Sequence, residues 1–208
     1  MAVEVSAQQV KELREATGAG FQDCRKALQE NNGDMAQAID YLRKKGVATA
    51  AKKADRVAKD GIIQSYMHHN GRLGVLVEVN SETDFVARND DFKKFAKELA
   101  LHIANMAPRY LKREDVPQAD IDAEREIQRG KTLNEGKPAA VVDKIVEGRL
   151  DKWFEEIVLM EQPWLHDDKL TVNEVLTQLI AGIKENIVIR RFARFALGEA
   201  DSGEGGEE

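Results

Sequence analysis

The chain has 208 residues, 42% hydrophobic and 33% charged, a mixture that can bury a core and predicts a folded protein. The formal net charge of −6 disfavours a nonspecific nucleic-acid binder, although basic clusters can still be local. Cys24 is the only cysteine, which excludes an internal disulfide and a cysteine-built metal site. The charged N-terminus is unlike a secretory signal, and no hydrophobic run approaches the roughly 18 residues of a membrane span, so we expect a cytoplasmic protein.

Residues 1–46 predict a domain of three short helices. Ser6 is placed to cap the first helix and Asp34 to cap the third, and the glycines of "TGAG" separate the first helix from the second. Gly46 is placed to end the third helix. Cys24 falls on the apolar stripe of the second helix, which indicates a buried hydrophobic residue rather than a nucleophile.

Residues 47–60 are rich in alanine and lysine and predict a connecting helix with a basic face. The cations of this face are Lys52, Lys53, Arg56 and Lys59. Charge runs on helices usually form a solvated face, and we favour that interpretation. The alternative is a surface that binds RNA, which the negative overall charge opposes.

Residues 61–199 predict an α+β core domain. Asn70-Gly71 between two β-rich runs is a hairpin signal, and "ENIVIRRFARFALGE" has the composition of a further strand. Helices are predicted over "DDFKKFAKELALHIANM", residues 117–137, "PAAVVDKIVEGRLDKWFEEIVLM" and "TVNEVLTQLIAGI", with a loop at "EQPWLHDDK". We expect the strands to share one small antiparallel sheet packed with helices, and the acidic tail, residues 200–208, to be disordered.

One segment of this domain, "VNSETDFVARND", places Phe85 in a polar stretch that follows an apolar strand. Large apolar side chains are mostly buried, so Phe85 could fold back onto the edge of the sheet while Thr83 and Asp84 cap a helical turn. It could equally be a rigid aromatic anchor that enters a pocket of a partner. The residues alone leave both interpretations open.

Enzyme motifs are missing from the sequence. It contains no phosphate-binding glycine loop, no nucleophile elbow and no H-E-x-x-H pattern. The four histidines lack ligand spacing, and His102 beside the apolar stripe of its helix favours a structural role over a catalytic one. We therefore predict a binding protein rather than an enzyme, without a metal or cofactor of its own.

Four stretches, in chain order, resemble the signature sequences of the elongation factor Ts family. The first is "VKELREATGAGFQDCRKAL", which is followed by "NNGDMAQAIDYLRKKG" and "AAKKADRVAKDG". The second is "VEVNSETDFVARNDDF", the third is "NEGKPAAVVDKIVEGRLDKW" leading into "EQPW", and the fourth is "ENIVIRRFARFALGE". They cover nearly the whole chain, which resembles the short form of the family with one copy of the sheet-and-helix core. The resemblance implies a ubiquitin-associated-like N-terminal domain and a partner, elongation factor Tu, a GTPase that holds GDP with Mg²⁺.

The resemblance also implies a function, guanine-nucleotide exchange in translation elongation. Thr83, Asp84, Phe85 and Val86 match the family segment that enters the nucleotide domain of elongation factor Tu, where the aromatic ring separates two helices and disturbs the Mg²⁺ site. GDP then leaves faster, without bond-making chemistry. The other family contacts carry over to Arg14, Phe21, Gln22, Arg25, His102, Leu165, His166 and Ile183.

Two departures from the family pattern concern the predicted contacts. Phe21-Gln22 stands where two methionines are frequent, and Lys184 stands where a glycine is expected beside Ile183. Ala193 occupies the position at which some members carry a cysteine in the final strand, so a disulfide-linked dimer through that strand is excluded. We still expect a noncovalent homodimer through the sheet, because a small sheet leaves an edge to protect.

Two other functions compete with nucleotide exchange. One is a ubiquitin-associated-like interaction module without exchange activity, which would have no need of the central match around Phe85. The other is an RNA-binding ribosome accessory factor that uses the cations of residues 52–59. Release of GDP from elongation factor Tu distinguishes exchange from both.

Overall fold

The computed structural model describes residues 5–199, and within them helices combine with short strands, which confirms the α+β class. The helices are α1 (Ala7–Thr17), α2 (Phe21–Glu30), α3 (Met35–Ala51), α4 (Asp84–Ala87), α5 (Asp90–Met106), α6 (Gln118–Asn134), α7 (Ala139–Ile157) and α8 (Val172–Ile183). The strands are β1 (Asp60–Met67), β2 (Leu73–Ser81), β3 (Pro163–Trp164), β4 (Asp167–Thr171) and β5 (Ile187–Ala196). Single 3₁₀ turns cover Arg113–Asp115 and Leu159–Glu161. The tail predicted as disordered, residues 200–208, lies outside the described part of the chain.

The chain forms two compact units, and the division crosses a three-stranded sheet with the order β1-β2-β5. The first unit contains residues 5–63, 78–96 and 173–190, and the second contains 64–77, 97–172 and 191–199. Each unit therefore includes part of all three strands. The predicted sharing of one sheet by the hairpin and the C-terminal strand is confirmed.

The first unit begins with three helices whose ends follow the predicted caps. Ser6 Oγ accepts a hydrogen bond from the Gln9 N–H at 3.2 Å, and Asp34 Oδ1 accepts one from the Gln37 N–H at 2.9 Å. The helices enclose a small apolar core of Val10, Leu13, Cys24, Ala27, Leu28, Ala38 and Leu42. Cys24 is fully buried there, as predicted, and burial raises the pKa of its thiol, which keeps it unreactive.

The predicted connecting helix over residues 47–60 is wrong. Helix α3 continues through Gly46 to Ala51, and the chain then turns before β1 begins at Asp60. A Cβ built on Gly46 would lie 3.6 Å from the Cβ of Ala181 on α8, so the missing side chain brings two helices close together. Gly46 is therefore a packing residue inside a helix, which local sequence does not distinguish from a helix end.

The second unit contains the helical hairpin of α6 and α7. Val142, Val146 and Leu150 recur every fourth residue on the buried face of α7. On the outside, ion pairs join the two helices, including Arg129 with Asp143 at 2.7 Å and Arg149 with Glu135 at 2.8 Å. Both helices confirm the predictions, although α7 ends three residues earlier than expected, at Ile157.

The predicted loop "EQPWLHDDK" is largely a two-stranded ribbon, so that prediction is wrong. β3 and β4 pair antiparallel, with Pro163 opposite Thr171 and Trp164 opposite Asp167. Pro163 begins its strand, a position at which proline removes no necessary hydrogen bond. Trp164 is buried and fixes the ribbon to the unit, which the polar residues around it concealed.

Candidate functional site

The segment around Phe85 forms a tight turn directly after β2. Thr83 has an extended backbone, with φ −131° and ψ 157°, and the four-residue helix α4 begins at the next residue. Ser81 Oγ donates a hydrogen bond to the Thr83 carbonyl oxygen at 2.9 Å. A strand end and a single helical turn thus define the direction in which the segment points.

Phe85 projects from this turn into solvent. Its exposed fraction is 79%, whereas the following Val86 and Ala87 are each 9% exposed. The interpretation that Phe85 fills the core is therefore wrong, because its two neighbours supply the buried contacts of the turn. Contact of a phenyl ring with water is unfavourable, so burial of the ring against the surface of another protein would release free energy.

Asp84 lies beside the ring at the first position of α4. Its carboxylate accepts a hydrogen bond from Arg88 at 2.8 Å, one helical turn later. Both side chains are at least half exposed, so this pair contributes little to folding. The pair keeps the turn charge-balanced while leaving Asp84 accessible.

A second group of predicted contact residues lies on the three-helix domain of the same unit. Arg14 is in the last turn of α1, and Phe21, Gln22 and Arg25 occupy the first turns of α2. All four are exposed, and Phe21 leaves 49% of its surface in solvent. An aromatic ring and two arginines are thus exposed on the same three-helix domain.

Ile183 ends α8 half-buried, and the residue after it explains the glycine expected by the family pattern. Lys184 has φ +67°, in the left-handed region that favours glycine, and its N–H donates to the Ile180 carbonyl at 2.8 Å. The position needs that backbone conformation to terminate the helix. Lys184 adopts it, so the departure from glycine does not prevent the chain from turning after Ile183.

The remaining predicted contacts, in the second unit, centre on His102, which has no exposed surface. The Leu165 N–H donates to His102 Nδ1 at 3.3 Å, so Nδ1 is unprotonated and Nε2 carries the proton that it donates to Gln162 Oε1 at 3.0 Å. Trp164 stacks on the imidazole with a centroid distance of 5.2 Å. In this structure His102 is a structural residue that holds the ribbon presenting the exposed Leu165 and His166.

Comparisons with known proteins establish the family to which this chain belongs. The family model described as "Elongation factor TS" matches residues 2–199. The chain is 58% identical to an elongation factor Ts of Carboxydothermus hydrogenoformans over 94% of this chain and 90% of the relative. It is 59% identical to one of a Thermoanaerobacter species, over 94% and 96%, and 53% identical to one of Geobacter sulfurreducens, over 95% and 91%.

The chain belongs to the elongation factor Ts family. This membership confirms the resemblance carried by the four sequence stretches, and it makes the chain a translation elongation factor. Within residues 5–199, no cluster of three or more His, Cys, Asp or Glu side chains could hold a metal ion. No helix in the same part of the chain is long and apolar enough to cross a membrane.

Two residues that support the site were not singled out from the sequence. Gln162 is fully buried, and its amide N–H₂ donates to the carbonyls of Glu156 and Met106 while its oxygen accepts the hydrogen bond from His102 Nε2. Glu185 receives two hydrogen bonds from Thr83. Both act through partners far away in sequence, so no local motif indicates them.

The buried His102 predicts an acid-sensitive ribbon. Burial lowers the pKa of His102, so the unfolded chain takes up this proton at higher pH than the folded chain does. Stability from His102 is complete above the ordinary pKa of about 6.5 and is lost as the pH falls through the lowered value. Protonation of Nδ1 would also break the bond to the Leu165 N–H.

We expect the free energy of unfolding, measured in urea, to decrease as the pH is lowered from 7.5 to 5, since about 1.4 kcal/mol accompanies each unit of pKa shift. His102→Gln should be less stable but less pH-dependent. His69→Gln removes an exposed histidine of the turn between β1 and β2 and should keep the pH dependence. An NMR titration that finds His102 at or above its ordinary pKa would contradict the prediction.

Proposed function

We propose that this chain is a guanine-nucleotide exchange factor that binds the GDP-bound form of elongation factor Tu and promotes exchange of GDP for GTP. The observation that carries the proposal is Phe85, an aromatic ring 79% exposed on a turn whose next two residues are buried. A rigid ring presented in this way suits insertion into a pocket of a folded partner. The protein then acts on a GTPase without performing bond chemistry of its own, in the cytoplasm where translation elongation takes place.

Insertion of the ring acts on GDP through Mg²⁺. A bound nucleotide diphosphate is held by phosphate contacts and by the metal ion that compensates its charge. When Phe85 separates two helices of the nucleotide domain, the groups that hold Mg²⁺ shift and the ion is displaced. The phosphates lose their compensation, and GDP dissociates faster. Val86 is buried within the turn, and Thr83 and Asp84 set the direction of entry.

Other surfaces would hold the partner while Phe85 acts. We infer that the three-helix domain has a ubiquitin-associated-like fold and contacts the partner through Arg14, Phe21, Gln22 and Arg25. Leu165 and His166 supply a further contact from the ribbon, supported from within by His102, and Ile183 one from the end of α8. Linked contacts raise the effective concentration of each for its own site, so moderate affinities combine into a tight complex.

The basic residues after α3 argue against an RNA-binding function. Lys53 Nζ donates to the Lys184 carbonyl at 2.6 Å, and Arg56 lies 3.5 Å from the Glu82 carboxylate. Two of the four cations are thus engaged within the first unit. The interpretation of these residues as a solvated basic face also holds only in part, because Lys53 is half-buried.

Thermodynamic linkage gives a direct test of exchange. If the chain weakens GDP binding to elongation factor Tu by some factor, GDP must weaken binding of the chain by the same factor. Titration calorimetry of the chain into nucleotide-free and GDP-bound elongation factor Tu measures one factor, and GDP titration with and without the chain measures the other. If each ligand lowers the affinity of the other by the same factor, and this factor is well above one, the result supports exchange. If the affinity of the chain for elongation factor Tu is the same with and without GDP, the chain is an interaction module without exchange activity.

We also propose a noncovalent homodimer through the sheet. In the second unit, β1, β2 and β5 expose Met67, Leu76 and Phe195, whose exposed fractions are 69%, 48% and 65%. Met67 lies over Gly74, since a Cβ built there would be 3.2 Å from Met67 Cε. Large apolar side chains on a sheet surface are typical of an interface between copies of a chain.

Sedimentation velocity is expected to show a dimer for the unaltered chain and a monomer for Phe195→Glu, because a buried unpaired carboxylate opposes association. Ile127→Glu is the matched control, since Ile127 is 50% exposed on α6 and is expected to leave the dimer intact. A monomeric unaltered chain at micromolar concentration would exclude this dimer.

A further inference from the structure

The turn that carries Phe85 is held from a distant part of the same unit by one carboxylate. Glu185 Oε2 accepts the Thr83 N–H at 3.1 Å, and Glu185 Oε1 accepts the Thr83 hydroxyl at 2.8 Å. We infer that Glu185 is a positioning residue for nucleotide exchange, which fixes Thr83 so that Phe85 points outward. The inference rests on the proposed exchange function.

The hold matters because α4 cannot stabilise itself. A helix of four residues forms too few hydrogen bonds to offset the ordering of its backbone. Thr83 stands at the position before α4, yet its hydroxyl makes no capping bond there, since it is directed to Glu185. Two bonds from one residue to one carboxylate define both the backbone and the side chain of Thr83. The direction of Phe85, two residues later, follows from them.

Glu185 is itself fixed by both of its neighbours. Lys184 ends α8 in the left-handed conformation and accepts the Lys53 ammonium on its carbonyl. Asn186 is buried, its amide donates to the Ala54 and Arg56 carbonyls, and its N–H donates to Glu82 Oε1 at 2.6 Å. The carboxylate therefore extends from a braced segment that also binds the chain just after α3.

A carboxylate binds both groups of Thr83 most strongly. Thr83 offers two donors, its N–H and its hydroxyl, and an ionised carboxylate offers only acceptors. A glutamine at this position would keep the shape, with its oxygen accepting the Thr83 N–H and its N–H₂ group donating to the hydroxyl oxygen, which is also an acceptor. Glu185→Gln is therefore a nearly isosteric change that replaces two charge-assisted hydrogen bonds with weaker neutral ones.

The experiment combines a measurement on the free chain with one on the complex. Hydrogen–deuterium exchange of the peptide covering residues 82–88 should become about tenfold faster in Glu185→Gln, since replacing two charge-assisted hydrogen bonds with neutral ones is worth about a tenfold change. The maximal rate of GDP release from elongation factor Tu should fall about tenfold, while the concentration for half-maximal effect changes less than about threefold. This split separates positioning from general loss of binding or folding.

Two further variants complete the design. Asp40→Asn is the control, because it makes the same change from acid to amide at an exposed ion pair, with Lys44 at 2.6 Å on α3. It should change neither readout. Thr83→Val removes only the hydroxyl donor and tests the same link from the other side, so its effect should not add to that of Glu185→Gln.

The outcomes separate the inference from the function on which it rests. Equal hydrogen exchange in Glu185→Gln and the unaltered chain would overturn the hold on the turn. Faster hydrogen exchange with an unchanged maximal rate of GDP release would overturn its role in nucleotide exchange. If the unaltered chain does not accelerate GDP release, the proposed function fails, and the hydrogen-exchange measurement alone still decides whether Glu185 holds the turn.

Discussion

Phe85→Ala is expected to slow the release of GDP that this chain stimulates by about a hundredfold, with the free energy of unfolding unchanged within about 0.5 kcal/mol. An aromatic anchor in an interface is commonly worth about 2–4 kcal/mol, and each 1.4 kcal/mol corresponds to a factor of ten. Stability should hold because the ring is 79% exposed and its removal leaves no cavity. Val86 and Ala87 remain to bury the turn.

Stopped-flow release of fluorescent GDP measures the first effect, and urea unfolding followed by circular dichroism measures the second. Val57→Ala is a matched control, since Val57 is also a well-exposed apolar residue, 66% exposed, and lies outside the turn. It should match the unaltered chain in both measurements. If Phe85→Ala were less stable, Phe85 would contribute to folding as a core residue. If the variant released GDP at the unaltered rate, Phe85 would have no part in nucleotide exchange.

Gly61→Ala is expected to cost about 3 kcal/mol or more of folding stability. Gly61 has φ +139°, which residues with a side chain rarely adopt. A Cβ there would lie 2.1 Å from the Val79 carbonyl oxygen and 2.7 Å from the Asn80 Cα, both backbone atoms of the neighbouring strand. Neither can move without breaking the pairing of β1 with β2. Since β2 leads directly into Thr83, the same clash would also displace the turn.

Urea unfolding measures the stability of this variant, and Gly130→Ala provides the control. Gly130 lies inside α6, and a Cβ there would meet no atom within 4 Å. That substitution should stabilise the chain by about 0.5–1 kcal/mol, because alanine is the better helix former. A Gly61→Ala variant as stable as the unaltered chain would show that the two strands can separate without cost.

Much of the fold follows from local sequence signals. Ser6 and Asp34 begin helices as their capping residues predict, and Asn70-Gly71 separates the two paired strands. The apolar stripe of α5 is buried at Phe92, Phe95, Leu99 and Ile103. Each of these signals acts within a few residues, and that is why the sequence is sufficient to read them.

The wrong predictions of secondary structure occur where a contact distant in sequence determines the local conformation. Glycine is frequent at helix ends, but Gly46 lies inside α3, where it packs closely against Ala181. The polar segment after Gln162 resembles a loop, but the burial of Trp164 beside His102 turns it into a ribbon. Tertiary packing overrides local preference in both cases.

The candidate site was predicted in part for the same reason. The sequence placed Phe85 in a turn but left core and anchor equally open, and the fold resolved this by burying Val86 and Ala87 instead. Glu185 lies 102 residues from Thr83, so the bond between them has no sequence signature. His102 was predicted as a contact, but its buried position gives it a supporting role in this structure.

The most direct test of the central claim is the rate of GDP release from elongation factor Tu, measured by stopped flow with increasing concentrations of the unaltered chain at fixed Mg²⁺. Nucleotide exchange predicts a rate that rises with the chain's concentration to a plateau, and a smaller increase at high Mg²⁺, because excess ion opposes its displacement. A rate that stays at its spontaneous value at saturating concentrations of the chain would contradict the proposed function.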